Sequence, residues 1–452
     1  MNNDTIAAIA TPSGQGGVGI IRVSGSKASE IAKTISGLCP PPRYAHYGNF
    51  SDTNKTIIDN GLTLFFKKPF SFTGEDIVEF QAHGGPVVLD LLLKEILQHN
   101  VRPACAGEFS ERAFLNNKID LTQAEAIADL IAADSEQAAR AATRSMQGEF
   151  SSVIHQLVEE LTQLRIYVES ALDFPEEEID FLADDAIANK LKIVQQKLSA
   201  VKKAAQQGRL LKEGMTVVIA GKPNAGKSSL LNQLAGRESA IVTEIPGTTR
   251  DILREHIQID GLPLHIIDTA GLRDSDDIVE QEGIKRAKQM LEKADRILFV
   301  TDVNNLDSDI DKNIDKKLLE DFPKNIGVTI IYNKIDTKEQ TPKIKDEKEV
   351  TEIYLSAKIG DGIDLLKNHL KGCMGYQQKS EGQFMARRRH LDAIDGAEKH
   401  LLLADKNLHQ LQAGELLAEE LRFAQQVLST ITGEFSSDDL LGRIFSDFCI
   451  GK

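Results

Sequence analysis

Hydrophobic positions follow three patterns along the chain. Residues 1–118 combine short apolar runs, which predict strands, with stretches of helical spacing. From Leu121 to Arg209, apolar residues recur at three- and four-residue steps, as in amphipathic helices. In residues 215–372, short continuous apolar runs alternate with helical stretches, which is typical of a parallel sheet. Helical spacing returns after Gly382.

These patterns predict individual elements. The strands expected in the first region are Thr5–Ala10, Val18–Val23, Gly61–Phe66 and Asp76–Ala82, and its helices are Lys27–Ile35 and Val87–Gln98. The buried strands expected in the third region are Val217–Ala220, His265–Ile267, Ile297–Val300 and Val328–Ile331. An acidic segment containing Pro175, residues 173–180, predicts a loop between helices.

Helical sequence on both sides of the third region predicts an α/β domain inserted into one helical domain. The expected fold class is therefore multidomain, α/β plus all-α. The predicted domains are an N-terminal α/β domain (1–118), the first part of a helical domain (119–211), the inserted domain (212–372), and the second part of the helical domain (373–452).

Composition limits the possible partners. A net charge of −15 argues against a body that binds nucleic acid through its overall field, so an RNA partner would need local basic patches or a second protein. The four cysteines are scattered, which fits a reducing, cytoplasmic location. We expect no signal peptide, since the start lacks a basic n-region, and no membrane span, since no apolar run approaches about 18 residues.

A phosphate-binding loop stands at the start of the third region. The segment GKPNAGKS, Gly221 to Ser228, matches GxxxxGK(S/T), follows the apolar run VVIA and precedes a helical stretch. Its glycines allow backbone N–H groups to surround phosphates, Lys227 supplies a charge at the β- and γ-phosphates, and the Ser228 hydroxyl can bind Mg²⁺. The sequence thus predicts a nucleoside triphosphate site.

Three later motifs specify the nucleotide. DTAG, from Asp268 to Gly271, follows a strand and can sense the γ-phosphate and hold the metal's water shell. In NKID, Asp336 can accept two hydrogen bonds from guanine, a pair that adenine cannot donate. The segment SAK, from Ser356 to Lys358, can offer a backbone N–H to guanine O6. The loop before them, TEIPGTTRD, contains Thr249, which can reach Mg²⁺ as a switch residue.

These motifs together predict a Ras-like P-loop G domain. The residues assigned to GTP are Asn224, Ala225, Gly226, Lys227, Ser228, Ser229, Thr243, Glu244, Ile245, Pro246, Gly247, Thr248, Thr249, Asp268, Thr269, Ala270, Gly271, Asn333, Lys334, Ile335, Asp336, Ser356, Ala357 and Lys358.

The residue that positions the attacking water is not fixed by these motifs. Leu272 follows DTAG at the position where Ras-like proteins have a glutamine, and it cannot polarise water. The candidates in the next segment are Glu280, Glu282, Asp274, Asp276 and Asp277. Asn224 has two interpretations: its amide oxygen could help enclose a monovalent cation against the phosphates, or it could simply cap a turn.

A glycine-rich segment near the start, Gly14 to Gly19, matches GxGxxG. A dinucleotide-binding fold would need a helix directly after it, but the strand-like IIRVSG follows. We therefore reject a Rossmann site here.

The motif set resembles the tRNA modification GTPase family MnmE, also called TrmE. The matching stretches are TPSGQGGVGIIRVSG, FTGEDIVEFQAHGG, GEFSERAFLNNKIDLTQAEAIADLI, GKPNAGKSSLLN, IPGTTRD, DTAGLR and the terminal FCIGK. They run from residue 11 to residue 452.

The resemblance implies an N-terminal dimerisation domain that binds tetrahydrofolate, in a methylene or formyl form, and a homodimer. It implies K⁺-dependent GTP hydrolysis. It also implies a heterotetramer or larger complex with an FAD protein similar to MnmG (GidA). Together they would install an aminomethyl or carboxymethylaminomethyl group on the wobble uridine of tRNAs.

Residue roles follow from the same resemblance. It assigns K⁺ to Asn224, Thr243, Ile245 and Thr248, Mg²⁺ to Ser228 and Thr249, and the catalytic role to Glu280. It assigns folate to Arg22, Glu79, Lys118 and Lys452, and a functional thiol to Cys449. Pro246 departs from the alanine expected at that position of the loop.

Two other functions fit the same motifs. One is a switch GTPase in ribosome assembly, with the flanking domains as adaptors. The other is a folate-binding scaffold whose GTPase is only regulatory. Folate binding by residues 1–118 would argue against the first, and loss of the modified uridine in a Glu280 variant would argue against the second.

Overall fold

The structure is a computed structural model that describes residues 4–133, 135–173, 185–235, 254–259, 262–268, 294–307, 322–323, 326–346, 350–373, 384–434, 438–446, 448 and 451. The chain divides into two compact units. Unit 1 comprises Met1–Ala132, Thr143–Ser199 and Asp392–Lys452, and unit 2 comprises Ala133–Ala142 and Ala200–Leu391.

Unit 1 contains a six-stranded sheet. Its strands are β1 (Ile6–Ile9), β2 (Gly16–Ser24), β3 (His46–Ser51), β4 (Ile57–Phe66), β5 (Ile77–Gly84) and β6 (Arg102–Pro103). They lie in the order β3-β4-β5-β2-β1-β6, and adjacent strands are antiparallel except for the parallel pair β1 and β6. Helices α1 (Ala28–Ser36) and α2 (Pro86–Leu97) bury one face of the sheet in an apolar core.

The remaining helices follow the sheet along the chain. They are α3 (Glu108–Leu115), α4 (Leu121–Ile131), α5 (Glu136–Met146), α6 (Glu149–Asp173), α7 (Asp185–Glu213), α8 (Lys227–Ala235), α9 (Ile363–Cys373), α10 (Arg388–Lys406), α11 (Gly414–Thr432) and α12 (Asp438–Ser446), with a π-helical turn at Asn407–Leu411.

Helix α6 packs along α11, although the α/β block separates the two in sequence. Both helices bury leucines at helical spacing, and Arg165 on α6 donates a hydrogen bond of 2.8 Å to Gln425 on α11. The helical spacing predicts core positions at Leu157, Leu161, Leu164, Val168 and Leu172. The first four are buried in this helix pair, whereas Leu172, near the end of α6, is 36% exposed.

The C-terminal segment packs against the first part of unit 1. Phe445 on α12 joins a cluster with Leu121 and the partly buried Phe114. Gly451, with φ +95°, lies so close to β1 that an added Cβ would be 2.2 Å from the carbonyl oxygen of Ile9. The end of the chain thus meets the N-terminal sheet within one chain.

Unit 2 contains a seven-stranded sheet. Its strands are β7 (Met215–Ala220), β8 (Arg254–Ile259), β9 (Leu262–Asp268), β10 (Arg296–Asp302), β11 (Gly327–Asn333), β12 (Lys343–Asp346) and β13 (Thr351–Tyr354). The order is β12-β13-β11-β10-β7-β9-β8, and only the two edge strands are antiparallel to their neighbours. Short 3₁₀ turns follow β10 (Val303–Asp307) and β11 (Ile335–Lys338).

The chain enters and leaves this unit side by side. Gly208 on α7 packs on the returning segment, where an added Cβ would lie 2.1 Å from the carbonyl oxygen of Phe384. Such adjacent ends are what an inserted domain requires.

The predicted fold class is confirmed: an N-terminal α/β domain, a helical domain and an inserted P-loop G domain with a parallel-rich sheet. The predicted strands and helices lie within or beside observed ones. The strands that were not predicted are β3, β6, β8, β12 and β13. The exact domain boundaries stay a prediction. Of the predicted acidic loop, Asp173 ends α6 and the rest lies outside the described residues.

The segment matching GxGxxG contributes its last four residues, Gly16 to Gly19, to the start of β2, in agreement with the rejection of a dinucleotide site. An added Cβ on Gly19 would lie 2.5 Å from Leu89 of α2, and one on Gly84 would lie 2.6 Å from the carbonyl oxygen of Gly16. These glycines therefore serve close packing. Over the part of the chain that is described, no helix is both long and apolar enough to cross a membrane.

Candidate functional site

The P-loop connects the carboxyl end of β7 to the amino end of α8. Gly221 has φ +142° and Gly226 has φ +95°, conformations that favour glycine. Added Cβ atoms would lie 2.0 Å from the carbonyl oxygen of Val300 and 2.2 Å from Nδ2 of Asn333, respectively. The glycines of the motif are thus required by both backbone conformation and space.

Lys227 is directed into the loop. Its Nζ donates hydrogen bonds to the carbonyl oxygens of Gly221 (2.8 Å) and Lys222 (3.0 Å). This places an ammonium group within the curve of backbone N–H groups, where a phosphate chain would be bound. The next residue, Ser228, is exposed in the first turn of α8, where its hydroxyl can reach a metal ion.

Asn333 joins the P-loop to the guanine-specificity segment. Its Nδ2 donates to the carbonyl oxygen of Ala225 (2.8 Å), and its Oδ1 accepts from the backbone N–H of Ala357 (2.9 Å). The side chain is buried, so both bonds are shielded from water. The sequence motifs assigned Asn333 to GTP binding. The structure shows that it also connects the P-loop, NKID and SAK motifs through hydrogen bonds.

Asp336 and Ser356 form the second connection. The Ser356 hydroxyl donates to Oδ1 of Asp336 at 2.5 Å. This bond fixes the orientation of the carboxylate, and among the residues described its Oδ2 has no hydrogen-bond partner. A fixed carboxylate is suited to the paired donors of guanine.

Lys334 has an unpredicted partner. It adopts the left-handed conformation, with φ +67°, and its Nζ pairs with Oδ2 of Asp302 at 2.8 Å. Burial tends to raise the pKa of Asp302, but hydrogen bonds from Lys334 and the backbone of Asn304 outweigh it and hold the pKa below its usual range. Asp302 is therefore ionised at neutral pH. The sequence contains one indication of this residue. Asp302 follows the apolar run Ile297–Val300, and ligand-binding side chains of α/β sheets lie at the carboxyl ends of such strands.

Several predicted nucleotide-site residues lie outside the described residues: Thr243, Glu244, Ile245, Pro246, Gly247, Thr248, Thr249, Thr269, Ala270, Gly271 and Glu280. Asp268 is the last residue of β9, as the DTAG motif predicts. The structure therefore brings together the P-loop, NKID and SAK motifs, and leaves the switch and catalytic residues as predictions.

The second candidate site lies on the face of the N-terminal sheet that α1 and α2 do not cover. Arg22 and Glu79 are directly paired across β2 and β5, and Nε of Arg22 donates to Oε1 of Glu79 at 2.8 Å. Within the described part of the chain, Oε2 of Glu79 has no hydrogen-bond partner, and the side chain is 14% exposed. One carboxylate oxygen thus remains for a ligand.

Aromatic rings enclose the arginine. The guanidinium carbon of Arg22 lies 5.8 Å from the ring centre of Phe72 and 5.7 Å from that of Phe109. These contacts, together with Glu79, hold the guanidinium in place. Sequence reasoning missed both rings, because nothing in the local pattern distinguishes them from core residues.

Lys118 lies in the short loop between α3 and α4. Its Nζ donates to the carbonyl oxygen of Pro69 at 3.0 Å, and its side chain is exposed. Lys452 and Cys449 lie outside the described residues, but Gly451 packs on Ile9 and Ala10. Ala8, beside Ile9, is the register partner of Arg22, so the end of the chain approaches the strand that holds this arginine.

Comparisons with known proteins cover the whole chain. Residues 5–118 match a family described as GTP-binding protein TrmE N-terminus, and residues 121–449 match the MnmE helical domain. A tRNA modification GTPase MnmE from Vibrio cholerae is 59% identical over 453 residues, covering 100% of both chains. Another, from Pectobacterium carotovorum, is 60% identical over 452 residues, again covering 100% of both.

A solved structure of Era from Aquifex aeolicus is also similar. It is 29% identical, covering 42% of this chain and 67% of its own, with a TM-score of 0.27. A TM-score this low adds nothing to the assignment, which rests on the full-length relatives. Their identity and coverage show that the chain belongs to the tRNA modification GTPase MnmE family and is a GTPase that acts in tRNA modification.

Proposed function

We propose that this GTPase is K⁺-dependent and works with an FAD-dependent protein similar to MnmG. Together they install an aminomethyl-type group on the wobble uridine of tRNA, with one carbon taken from tetrahydrofolate. The Arg22–Glu79 pair supports the folate role most directly, because it is a fixed charged pair on the sheet face opposite α1 and α2, bordered by Phe72 and Phe109.

The chemistry of a pterin fits this pair. A pterin ring presents an amino group and a ring N–H on one edge, as guanine does, and a carboxylate can accept from both. Oε2 of Glu79 is available for one of these donors, and Oε1, which accepts one hydrogen bond from Arg22, keeps a second lone pair for the other. Arg22 therefore positions Glu79, a role more specific than the folate contact that the resemblance assigns to it. A residue on a strand is also rigid enough for such recognition.

The C-terminal segment supports a contribution from Lys452 within the same chain. Gly451 packs on the end of β1 next to the strand that holds Arg22. Lys452 follows directly, and Cys449 is two residues before Gly451. Lys118 would add a second positive charge for the anionic part of the folate.

The proposal assigns Mg²⁺ and K⁺ to different residues of the nucleotide site. Ser228 is exposed at the start of α8 and would bind Mg²⁺ with Thr249. Asn224 is exposed in the P-loop and would bind K⁺ with Thr243, Ile245 and Thr248. The K⁺ charge would offset the negative charge that develops during phosphoryl transfer, and Glu280 would orient the attacking water.

Calorimetric titration of a reduced folate into the full chain tests the folate role. We expect binding by the natural sequence and a loss of about tenfold or more in Glu79→Gln, which removes a charged acceptor. Glu30→Gln is the matched control, since Glu30 is exposed on α1 at the opposite face of the sheet. No binding by the natural sequence well above micromolar folate would remove the one-carbon role.

A further inference from the structure

A cluster of exposed basic and aromatic side chains lies at one end of the β3–β4 hairpin. It consists of Arg43, Tyr44, Lys67, Lys68 and Phe70, and we call it the basic rim. Phe70 is 71% exposed and Tyr44 is 69% exposed. Both rings are therefore accessible to a partner, and they lie among cations on one small surface.

Backbone contacts hold the rim together. The Arg43 backbone N–H donates to Phe65 at 2.7 Å, which joins the segment before β3 to the end of β4. Nη2 of Arg43 donates to the carbonyl oxygen of Phe70 at 3.3 Å, and the Phe70 N–H donates to Lys67 at 3.0 Å. These bonds fix the backbone of the two segments that carry the rim, and they hold the Arg43 guanidinium against Phe70, although the segments are distant in sequence.

The charges of the rim are not neutralised. Arg43, Lys67 and Lys68 form no ion pair with any residue that the structure describes. Among the contacts of the described residues, Asp76 meets the rim only through the backbone, since its Oδ1 accepts from the Lys68 N–H at 2.9 Å. Three unpaired cations therefore lie together on a chain whose net charge is −15.

We propose that the basic rim binds the single-stranded loop of the substrate tRNA. Phosphates would contact the three cations, and unpaired bases would stack on Phe70 and Tyr44, the combination by which proteins bind single-stranded RNA. The net negative charge of this chain repels RNA. Binding of RNA therefore requires a local group of unpaired cations such as the basic rim.

The position of the rim connects it to the proposed folate site. The loop that contains Lys67, Lys68 and Phe70 continues to Phe72, whose ring contacts Arg22. Lys118 donates to Pro69 in the same loop. An RNA loop on the rim would thus lie beside the Arg22–Glu79 pair. This relation rests on the proposed folate role, whereas RNA binding by the rim does not.

Binding of a fluorescently labelled anticodon stem-loop to the full chain, followed by anisotropy over a range of salt concentrations, tests the proposal. Lys67→Gln combined with Lys68→Gln should weaken binding and reduce the slope of log affinity against log salt by about one to two. Phe70→Ala should weaken binding roughly tenfold and leave the slope unchanged, because stacking releases no counterions.

Two control variants lie at other points of the same sheet. Lys55→Gln removes the same charge from the opposite end of the β3–β4 hairpin, and Tyr47→Ala removes an aromatic side chain that is 68% exposed on β3. Both should bind RNA as the natural sequence does. Thermal unfolding and GTP hydrolysis measured on every variant identify any loss of folding.

Three results would overturn the proposal: no RNA binding by the natural sequence, equal loss in rim and control variants, or full RNA binding by the rim variants. A change in oligomeric state without a change in RNA binding would show that the rim contacts a second copy instead. Folate titration of the same variants separates the two proposals. Loss of RNA binding with folate binding retained supports the rim, and absence of folate binding alone removes only the folate role.

Discussion

The Ser356 hydroxyl donates to Oδ1 of Asp336, and this leaves Oδ2 and the second lone pair of Oδ1 for the two guanine donors. In Asp336→Asn, the amide oxygen can keep the Ser356 bond while the amide N–H₂ faces the ligand. This group repels the guanine donors and suits the 2-oxo group of xanthine. We therefore expect weaker GTP binding and stronger xanthosine triphosphate binding, measured by competition between the two nucleotides. An unchanged guanine affinity would contradict the assignment of Asp336.

Asn224 has φ +62°, a left-handed conformation that asparagine tolerates better than most residues. Its presence can therefore be explained by the backbone alone or by K⁺ binding. Two substitutions separate these explanations, because Asn224→Gly keeps the conformation and loses the amide oxygen, whereas Asn224→Ala also strains the loop.

We expect GTP hydrolysis by the natural sequence to rise steeply with K⁺ and not with Na⁺, and both Asn224 variants to lose that response. The measurement is the initial rate across matched K⁺ and Na⁺ series. A glycine variant that responds to K⁺ normally would assign Asn224 to the backbone role. Equal rates of the natural sequence in the two salts would exclude the cation site altogether.

Glu280 remains a sequence-based candidate for the residue that orients water. Glu280→Ala should bind GTP normally and lower the single-turnover rate by about 10²-fold or more, the usual loss when a nucleophile is no longer positioned. Glu282→Ala serves as the comparison. If Glu280→Ala remains within a few-fold of the natural rate and Glu282→Ala does not, the role belongs to Glu282.

Single motifs located the nucleotide residues but not their connections. The P-loop, NKID and SAK segments were each recognisable, whereas the bridge that Asn333 makes between Ala225 and Ala357 depends on how three loops meet. In the same way, the pairing of Arg22 with Glu79 follows from the register of β2 and β5. Register is set by tertiary packing, so sequence spacing alone could not supply it.

At the scale of elements, four of the five interior strands of the seven-stranded sheet were predictable and the edge strands were not. The exception is β13, which lies inside the sheet but begins with the polar residues Thr351 and Glu352. The strands β7, β9, β10 and β11 are central and appear as apolar runs, because both faces of a parallel sheet are covered. By contrast, β3, β8 and β12 lie at sheet edges and consist largely of polar residues. Polar edges protect a sheet from further pairing, and they also remove the hydrophobic signal.

The packing of α7 on the returning segment gives a stability test of the inserted arrangement. Gly208→Ala would place Cβ against the backbone carbonyl of Phe384, so we expect destabilisation by about 1–3 kcal/mol. Gly372→Ala in α9 is the matched control, since nothing described lies within 4 Å of an added Cβ. The Gly372→Ala substitution should raise the free energy of unfolding by up to about 1 kcal/mol, because alanine favours the helix more than glycine does. Thermal unfolding of both variants measures the difference, and similar behaviour of the two would contradict this packing.

At the scale of the whole molecule, composition predicted that an RNA partner would require a local basic surface. The sequence could not show where that surface lies, because Arg43 is more than 20 residues from Lys67 and Phe70 along the chain. The pairing of β3 with β4 brings them together. The insertion of the G domain was predictable from the two helical regions. The return of Gly451 to β1 was implied only by the resemblance, which places Lys452 with Arg22 at one site, because nothing in the local sequence specifies a partner.

The central claim is that GTP hydrolysis by this chain drives the modification of a tRNA uridine. Mass spectrometry of tRNA nucleosides tests it in a strain that lacks the chain and is complemented with variants. We predict that the modified wobble uridine disappears in the deletion, returns with the natural sequence, and does not return with Glu280→Ala or Glu79→Gln. Full levels of the modified uridine in the deletion strain, or with Glu280→Ala, would contradict the account.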